Sequence, residues 1–377
     1  MNPRRIWAVA RKEFIHVFRD WRSLGMAIGI PVLLLTLFGY ALTLDVDRVP
    51  LIVWDQSQTT TSRAFLEGFR ASRYYSFRGS VDRYSAIEHS IDNGDAVLAL
   101  IIPRDFAAQL DSGRSTAVQL IADGSDSNTA TIAIGYAEMI THAYNQQILL
   151  EHLQRAGAQL PHAPLDVRAR VWFNEDLESK NFIVPGLIAV IMSMIAAVLT
   201  SLTIAREWER GTMEQLISTP VKAPELIFGK MIPYFIIGMA DMLLAMAMGA
   251  FLFHVPFRGS LTLLFGMAGI FLLGSLAQGM LISIVTKNQL IAGQLAIIST
   301  FLPAFLLSGF AFSISNMPTA LQYLTYAVSA RYFVTLIKAI YMKGAGLESL
   351  WIEAALLMVF CVILLSLAVL KFKKKLT

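Results

Sequence analysis

Residues 181–205 read NFIVPGLIAVIMSMIAAVLTSLTIA, and no charged side chain interrupts them. A helix of about 20 apolar residues covers the hydrocarbon core of a bilayer, which is about 30 Å thick. This stretch is therefore long enough to cross a membrane. The whole chain has a matching composition, because 55% of its 377 residues are hydrophobic and only 15% are charged. Soluble domains average about 25% charged residues, so the composition argues against a wholly soluble protein.

Five further stretches meet the same criterion of few charges and sufficient apolar length. Together with the first stretch, which we assign as the span 182–205, the predicted spans are residues 23–44, 231–254, 260–286, 289–311 and 351–370. The long uncharged region after Lys287 cannot be a single helix, because Pro303, Gly309 and Pro318 interrupt it. The predicted fold class is an α-helical polytopic membrane protein with six transmembrane helices.

The distribution of charge predicts the orientation of these spans. Six spans place both ends of the chain on the same side of the membrane. The two terminal segments and the short loops on that side carry 15 basic and six acidic residues, whereas residues 45–180 carry 12 basic and 18 acidic residues. Short loops rich in Lys and Arg remain in the cytoplasm. Both termini and the loop 206–230 are therefore predicted to be cytoplasmic.

The segment ahead of the first span has an apolar stripe at helical spacing. The stripe consists of Ile6, Val9, Ala10, Phe14, Val17, Phe18 and Trp21. Basic residues lie largely on the other faces, which predicts that residues 1–22 form an amphipathic helix in the cytoplasmic membrane interface. The alternative is a charged flank that only orients the first span.

Residues 45–180, between the first two spans, have the composition of a soluble domain. Short β-rich runs at 50–54, 96–102, 117–122 and 168–173 alternate with helical patterns at 62–71, 85–93 and 128–155. This alternation predicts an extracytoplasmic α/β domain. Two predicted strands end alike, at Asp55 and at Asp123, and lead through polar residues into a helix. The similarity indicates either a ligand-binding rim or repeated turn chemistry.

Several kinds of chemistry have no candidate residues. Cys361 is the sole cysteine, which excludes an internal disulfide and a cysteine-based metal site. His142, His152 and His162 are ten residues apart and do not share a helical face, so we interpret them as surface or core histidines. No phosphate-binding loop and no hydrolase motif occur. We expect no catalytic residue, no metal site and no cofactor on this chain.

Asp241 is an ionisable residue inside the predicted span 231–254. Such a residue is a functional candidate by default. Either it accepts hydrogen bonds from a neighbouring helix or polar cavity, or it relays protons or cations. The relay would make the chain an ion-coupled secondary transporter, although no partner lies in register and no inverted repeat is evident.

The segment after the span 182–205 reads REWERGTMEQLISTP over residues 206–220. Thr212 and Gln215 have the spacing of a capping box, and Gly211 lets the chain turn before them. A short helix is predicted to start there and to end before Pro220. These residues alone fit two interpretations equally well. The segment is either a solvated loop between two spans or a rigid element on which a cytoplasmic partner pushes.

The pattern E-x-E-x-G-T-x-E-x-L in this segment resembles the membrane subunits of type-2 ATP-binding cassette exporters, the drug-exporter-like permeases. Matches outside the segment include Lys12-Glu13, Pro185-Gly186, Gly229-Lys230 and residues 307–310. The resemblance implies that the N-terminal helix and the loop contact separate ATPase subunits. The residues that receive this coupling role are Arg11, Lys12, Glu13, Arg206, Glu207, Glu209, Gly211, Thr212, Glu214 and Leu216.

The resemblance also implies short outward-facing helices within 312–345 and places the chain in the subgroup with a large external domain. It implies a permease that pairs with a copy of itself or a sister permease, with ATP and magnesium on the partner ATPase. The exported substrates would be drugs, other toxic compounds or lipids, which would cross the bacterial inner membrane. The external domain would either hand them to a periplasmic adaptor or sense them outside. Membrane lipid is the other expected partner, and no nucleic acid is expected.

The resemblance places the substrate path between spans two and five of two permeases. Apolar side chains there suit either an amphipathic substrate or ordinary helix packing. They are Phe182, Met192, Met194, Phe301, Phe305 and Phe310. Besides the ion-coupled carrier, the remaining alternative is a membrane-anchored sensor or scaffold, for which the cytoplasmic segments are short.

Overall fold

The structure is a computed structural model that describes residues 1–41, 48–155, 172–174 and 178–372. The chain forms two compact units. One unit comprises Met1–Thr43 together with Arg170–Thr377, and the other comprises Leu44–Ala169. We call the first the membrane unit and the second the inserted domain.

Two helices begin the membrane unit, α1 (Pro3–Arg19) and α2 (Trp21–Ala41). The side chain of Asn2 caps α1 by accepting a hydrogen bond from the backbone N–H of Arg4 at 3.1 Å. The predicted helix 1–22 was too long, because Asp20 leaves the helical conformation with φ −92° and ψ 87°. Trp21, which the sequence analysis placed on the stripe of the N-terminal helix, begins α2 instead.

The inserted domain is built on a four-stranded sheet with strand order β2-β1-β3-β4. Its strands are β1 (Val49–Asp55), β2 (Tyr75–Ser80), β3 (Leu98–Ile102) and β4 (Gln119–Ala122). Its helices are α3 (Thr60–Arg70), α4 (Tyr84–Asp92), α5 (Phe106–Asp111) and α6 (Ser127–Arg155). The strands β1, β2 and β3 are parallel to one another where they pair, and β4 runs antiparallel to β3.

Successive side chains of a strand point to opposite faces of the sheet, and in the inserted domain both faces are covered by a core. On β3, Leu98 and Leu100 belong to the core that contains Phe65 of α3, whereas Ala99 and Ile101 belong to the core beside α4. Both faces are therefore buried, as parallel strands require.

The structure corrects several elements predicted for the inserted domain. The strand β2 and the helix α5 were not predicted from the sequence. The strand β2 buries only its first residue, Tyr75, so its hydrophobic signal is weak. A strand was predicted at 168–173, but residues 168–171 lie outside the described residues, and Trp172 and Phe173 are not in a strand. His162 also lies outside the described residues.

The rest of the membrane unit is helical. The helices are α7 (Ser179–Glu209), α8 (Met213–Ser218), α9 (Ala223–Phe251), α10 (Leu261–Thr286), α11 (Gln289–Leu307), α12 (Thr319–Thr325), α13 (Ser329–Lys338) and α14 (Leu347–Lys371). A short 3₁₀ turn, Ile314–Asn316, precedes α12, and a π-helical turn, Ala339–Lys343, follows α13. The outward position implied for the short helices stays a prediction.

Five helices, α7, α9, α10, α11 and α14, are long and apolar enough to cross a membrane, counted over the described residues. The predicted span 23–44 overlaps α2, whose part Ala27–Ala41 is apolar but shorter than the five long helices. The last three residues of this predicted span, 42–44, lie outside the described part. The count of six spans therefore stays a prediction. The predicted end of the fifth span at 311 was too late, because Gly309 with φ +79° stops α11 at Leu307.

The helix α7 is the centre of the membrane unit and packs against α2, α9, α10, α11 and α13. Its closest neighbour is α10. A Cβ atom at Gly279 would overlap the backbone of Ala197, so the glycine allows close approach. There the hydroxyl of Thr200 donates to the carbonyl of Leu276 at 3.0 Å. Small residues and hydroxyl groups are the typical contacts between membrane helices.

Candidate functional site

The N-terminal helix α1 lies directly against the start of α9. Val9 and Val17 of α1 are buried, and a Cβ atom at Gly229 would lie within 2.8 Å of the Val9 side chain. This start of α9, at Ala223, lies within the segment 206–230 that the sequence assigns to the cytoplasmic loop. Glu225 stabilises that start, since its Oε2 accepts from the backbone N–H of Lys222 at 2.9 Å.

Lys230 is the centre of a buried charged cluster. Its Nζ donates to Oε2 of Glu13 on α1 at 3.0 Å and to Oε1 of Glu207, near the end of α7, at 3.2 Å. The hydroxyl of Tyr234, on the next turn of α9, donates to Oε1 of Glu13 at 3.1 Å. The side chains of Lys230 and Glu13 are 2% and 4% exposed. One ammonium group thus joins three helices, and we call these four residues the Lys230 cluster.

Glu207 has two further partners. Lys12 Nζ donates to its Oε1 at 3.0 Å, and the Thr212 hydroxyl donates to its Oε2. The capping box predicted for Thr212 and Gln215 was wrong, because Thr212 makes no side-chain cap bond to α8 and its hydroxyl is engaged by Glu207. Gly211 does make the predicted turn, with φ +70°, a conformation that favours glycine.

A second polar chain runs beside the Lys230 cluster. His16 Nε2 lies 2.6 Å from NH1 of Arg206, and Asp20 Oδ2 lies 3.6 Å from the same nitrogen. Arg206 Nε donates to Oε1 of Gln289 at 3.3 Å, and the Gln289 backbone N–H donates to Oε1 of Glu209 at 2.8 Å. Arginine has only donors, so His16 must accept through a neutral ring. Burial, and then the charge of Arg206, lower the pKa of His16 and favour that form.

The predicted coupling residues divide by exposure. Those that are buried or half-buried are Glu13, Arg206, Glu207, Thr212 and Leu216. Those that are exposed are Arg11, Lys12, Glu209, Gly211 and Glu214. The first group mainly joins helices within the chain, whereas the second group is accessible to a partner. A polar cavity of about 150 Å³ lies beside His16 and Arg206, and Lys12 is the one residue of the exposed group that lines it.

Sequence reasoning gave no role to Lys230, Tyr234 or His16, which complete the site. Lys230 was noted only as part of the family pattern. A usable signal was present, since Lys230 and Tyr234 are one helical turn apart at the edge of a predicted span. A charge in that position is expensive unless it is paired.

Asp241 lies in a small, mostly apolar pocket between α2, α7 and α9, and Tyr234 of the Lys230 cluster also lines this pocket. Its Oδ2 atom is buried and has no hydrogen-bond partner among the described residues. Within the same residues, no three His, Cys, Asp or Glu side chains come together as possible ligands of a metal ion.

The apolar residues predicted along the substrate path are partly brought together. Phe305 lies between Phe301 and Phe310, with ring centroids 5.8 and 5.5 Å apart. Phe310 and Met192 are buried in the core of the membrane unit, whereas Phe182 is 43% exposed. Within the monomer, these contacts are those of helix packing.

Comparison with known proteins identifies the family. A family model described as ABC-2 family transporter protein matches residues 21–370. The probable multidrug ABC transporter permease YbhS of Escherichia coli (strain K12) is 38% identical over 379 residues, which cover 100% of this chain and 98% of that protein. YbhR of the same strain, named likewise, is 33% identical over 351 residues and 92% of each chain. The linearmycin resistance permease protein LnrN of Bacillus subtilis (strain 168) is 22% identical over 381 residues. A match over nearly the whole chain, on a bundle of apolar helices, confirms the resemblance: the protein belongs to the ABC-2 family and is a permease subunit of an ATP-binding cassette transporter.

Proposed function

We propose that this permease is the membrane subunit of an ATP-driven exporter of amphipathic molecules in the bacterial inner membrane, with both chain ends in the cytoplasm. Separate ATPase subunits bind and hydrolyse ATP with magnesium, and a second permease, identical or related, completes the pathway. The observation that carries the proposal is that Lys230 pairs with Glu13 and Glu207 at the same time.

The docking surface for the ATPase is formed by the exposed sides of α1 and α8. Met213 of α8 is buried and Leu216 packs against the same core, so these residues anchor the short helix. Glu214 and Gln215 are exposed. On the side of α1, Arg11 and Lys12 are exposed. This surface therefore offers charges of both signs to a polar partner.

The Lys230 cluster would transmit a push on that surface into the membrane. A displaced α1 carries Glu13 with it, and Lys230 couples that displacement to α9 and, through Glu207, to the end of α7. Because α7 lies at the centre of the helix bundle, its movement changes the packing of most other helices. Rigid elements joined by charged contacts are a suitable physical link between two sites.

The nature of the substrate is supported by two observations. The relatives YbhS and YbhR are named probable multidrug ABC transporter permeases, and Phe301 and Phe305 are only partly buried in this monomer. If a second permease faces them across the dimer, they line an apolar path between α7 and α11 of both copies. Aromatic and methionine side chains accommodate varied apolar shapes.

The test uses the full complex from its native membrane. Gentle purification should recover a soluble ATPase in fixed ratio, and inside-out vesicles should accumulate an amphipathic dye when ATP is added. Glu214→Lys places the opposite charge on the exposed side of α8 and is expected to reduce ATP-dependent transport by at least about tenfold. Glu348→Lys, at an exposed position at the start of α14, is the matched control and should leave transport intact.

Two results would contradict this proposal. One is full transport by the Glu214→Lys complex, which would remove α8 from the docking surface. The other is a permease recovered without any ATPase under conditions that preserve other membrane complexes. Glu207→Lys is a less informative variant, because Glu207 is engaged with Lys230 and its reversal would disturb the fold itself.

A further inference from the structure

A second cavity, of about 240 Å³, lies within the membrane unit, away from the Lys230 cluster. The helices α7, α10, α11 and α14 and the segment from α12 to α13 enclose it. Its polar lining includes Ser193, Gln278, Ser299 and Thr300. Pro303 of α11 also lines the cavity and determines which hydrogen-bonding groups are available there.

Pro303 frees a backbone carbonyl at this cavity. Proline has no N–H, so the carbonyl of residue i−4, here Ser299, has no helical donor. The side chain of Gln278 replaces that donor, with Nε2 3.3 Å from the Ser299 oxygen. A carbonyl oxygen has two lone pairs, so this oxygen keeps capacity for another donor.

The hydroxyl groups of the lining also present acceptors. Ser193 donates its hydrogen to the carbonyl of Val190 at 2.9 Å, and Thr300 donates its hydrogen to the carbonyl of Ala296 at 2.6 Å. Each hydroxyl has a single hydrogen, which is in use, and two lone pairs. Together with the Ser299 carbonyl, these oxygens can accept from a ligand hydroxyl, and the second amide hydrogen of Gln278 and the Ser329 hydroxyl, which also line the cavity, can donate to it. The lining therefore favours a ligand with a group that donates as well as accepts.

The charge of the lining restricts the ligand further. None of the residues that enclose the cavity, all of which lie in the described part of the chain, is charged. A cation or an anion would be left without a counter-ion in a medium of low dielectric constant. The apolar part of the lining, with Leu307 and Phe360, suits a hydrocarbon body.

We infer that this cavity is a binding site for an uncharged amphiphile whose hydroxyl group donates to the acceptors beside Pro303. The site lies within one permease and does not need the second copy. Its role as a substrate site rests on the proposed export function, whereas binding itself needs neither ATP nor an ATPase. The two proposals can therefore fail separately.

The experiment uses the full-length permease in lipid nanodiscs. The probes are N-dansyl-6-aminohexanol and its O-methyl ether, which share the fluorophore and the chain and differ only in the terminal donor. Dansyl fluorescence is titrated against nanodiscs without protein. The hydroxyl probe is expected to bind saturably, and the ether about fivefold more weakly, as the loss of one hydrogen bond predicts.

Two variants locate the binding. Ala327 lines the cavity and is exposed, so Ala327→Trp should block the mouth and abolish saturable binding. Ala320→Trp, on an exposed position of α12 that does not line the cavity, is the control for the added indole and should bind like the wild type. Pro303→Ala restores a backbone N–H donor to the Ser299 carbonyl, so it should weaken binding of the hydroxyl probe and leave the ether nearly unchanged.

Equal affinity for the two probes would overturn the inference, because it would remove the donor requirement. Saturable binding that persists in Ala327→Trp would place the probe elsewhere and would overturn it as well. If the hydroxyl probe binds as expected while vesicles show no ATP-driven transport, the site stands and the export function fails.

Discussion

The Nζ atom of Lys230 lies 3.0 Å from Oε2 of Glu13, although 217 residues separate the two in the sequence. The pair is almost completely buried. Buried ion pairs are seldom more stabilising than apolar residues of the same size, but loss of one partner leaves an uncompensated charge. The pair therefore ties α1 to one position on α9, where the close contact of Val9 with Gly229 holds it as well.

Lys230→Met should lower the free energy of unfolding by about 3 kcal/mol, because among the described residues Glu13 then keeps only Tyr234 as a partner. Unfolding in detergent, followed by heat or by denaturant, measures the change. The double variant with Glu13→Leu should recover at least half of the loss, since it removes the unpaired carboxylate.

Lys12→Met is the control for this prediction, because Lys12 contacts the same acid, Glu207. The Lys12 side chain is 55% exposed, and exposed ion pairs contribute less than about 1 kcal/mol. Equal destabilisation by the two lysine variants would contradict the special position of Lys230.

His16 should make the contact between α1 and α7 sensitive to pH. Its pKa is lowered, first by burial and then by the charge of Arg206, so the folded protein favours the neutral ring. The stabilisation is fully present above about pH 6.5, the ordinary pKa of histidine, and is lost as the pH falls through the lower folded value. Melting temperature measured between pH 8 and pH 5 should fall in this window.

His16→Gln separates this effect from general acid denaturation. Glutamine retains an acceptor for Arg206 but does not titrate in this range. The variant should have the melting temperature of the wild type at pH 8 and should lose less stability on acidification. Identical pH profiles for the two proteins would show that folding does not change the pKa of His16.

The sequence was sufficient for the long apolar helices and for the turn at Gly211. Hydropathy identifies spans because every residue of a membrane helix must be compatible with lipid. Helix ends were less predictable. Asp20 interrupts the N-terminal helix, which the apolar pattern does not report. Gly309 was identified as an interruption, but the apolar pattern continues past it and put the end of α11 too late. The strand β2 was missed because a strand that buries one side chain has almost no period to detect.

The candidate site was only half predictable. The family pattern identified Glu207 and Glu214 together, yet one is engaged inside the chain and the other is exposed. Adjacent charges such as Lys12 and Glu13 point to different faces of a helix, and which face is buried depends on where α9 packs. That contact depends on residues more than 200 positions away, so periodicity within α1 cannot determine it.

Gly279→Ala tests the close contact between α7 and α10. A Cβ atom at this position would overlap the backbone of Ala197, and backbone atoms cannot move aside as a flexible side chain can. We expect a loss of at least about 2 kcal/mol in the free energy of unfolding, typical of overpacking. Thermal unfolding in detergent measures it.

Gly266→Ala is the matched control on the same helix, because no atom lies within 4 Å of the added Cβ. Alanine in a helix is favoured over glycine by about 0.5–1 kcal/mol, so this variant should be neutral or slightly more stable. Destabilisation by both variants would mean that α10 rejects alanine in general, and the explanation by contact with α7 would fail.

Asp241→Asn distinguishes ATP-driven transport from an ion-coupled carrier. The Oδ2 atom of Asp241 is buried without a partner among the described residues, in a pocket lined mostly by apolar side chains. An ionised carboxylate there would be costly, which favours a neutral acid that asparagine imitates in size and charge. We expect ATP-dependent transport to stay within about twofold of the wild type, with or without a proton gradient, because no proton transfer would be lost.

A carrier that relays protons through Asp241 would instead lose transport in this variant and would respond to collapse of the gradient in the wild type. That pair of results would contradict the proposed function and make Asp241 the functional centre of the protein.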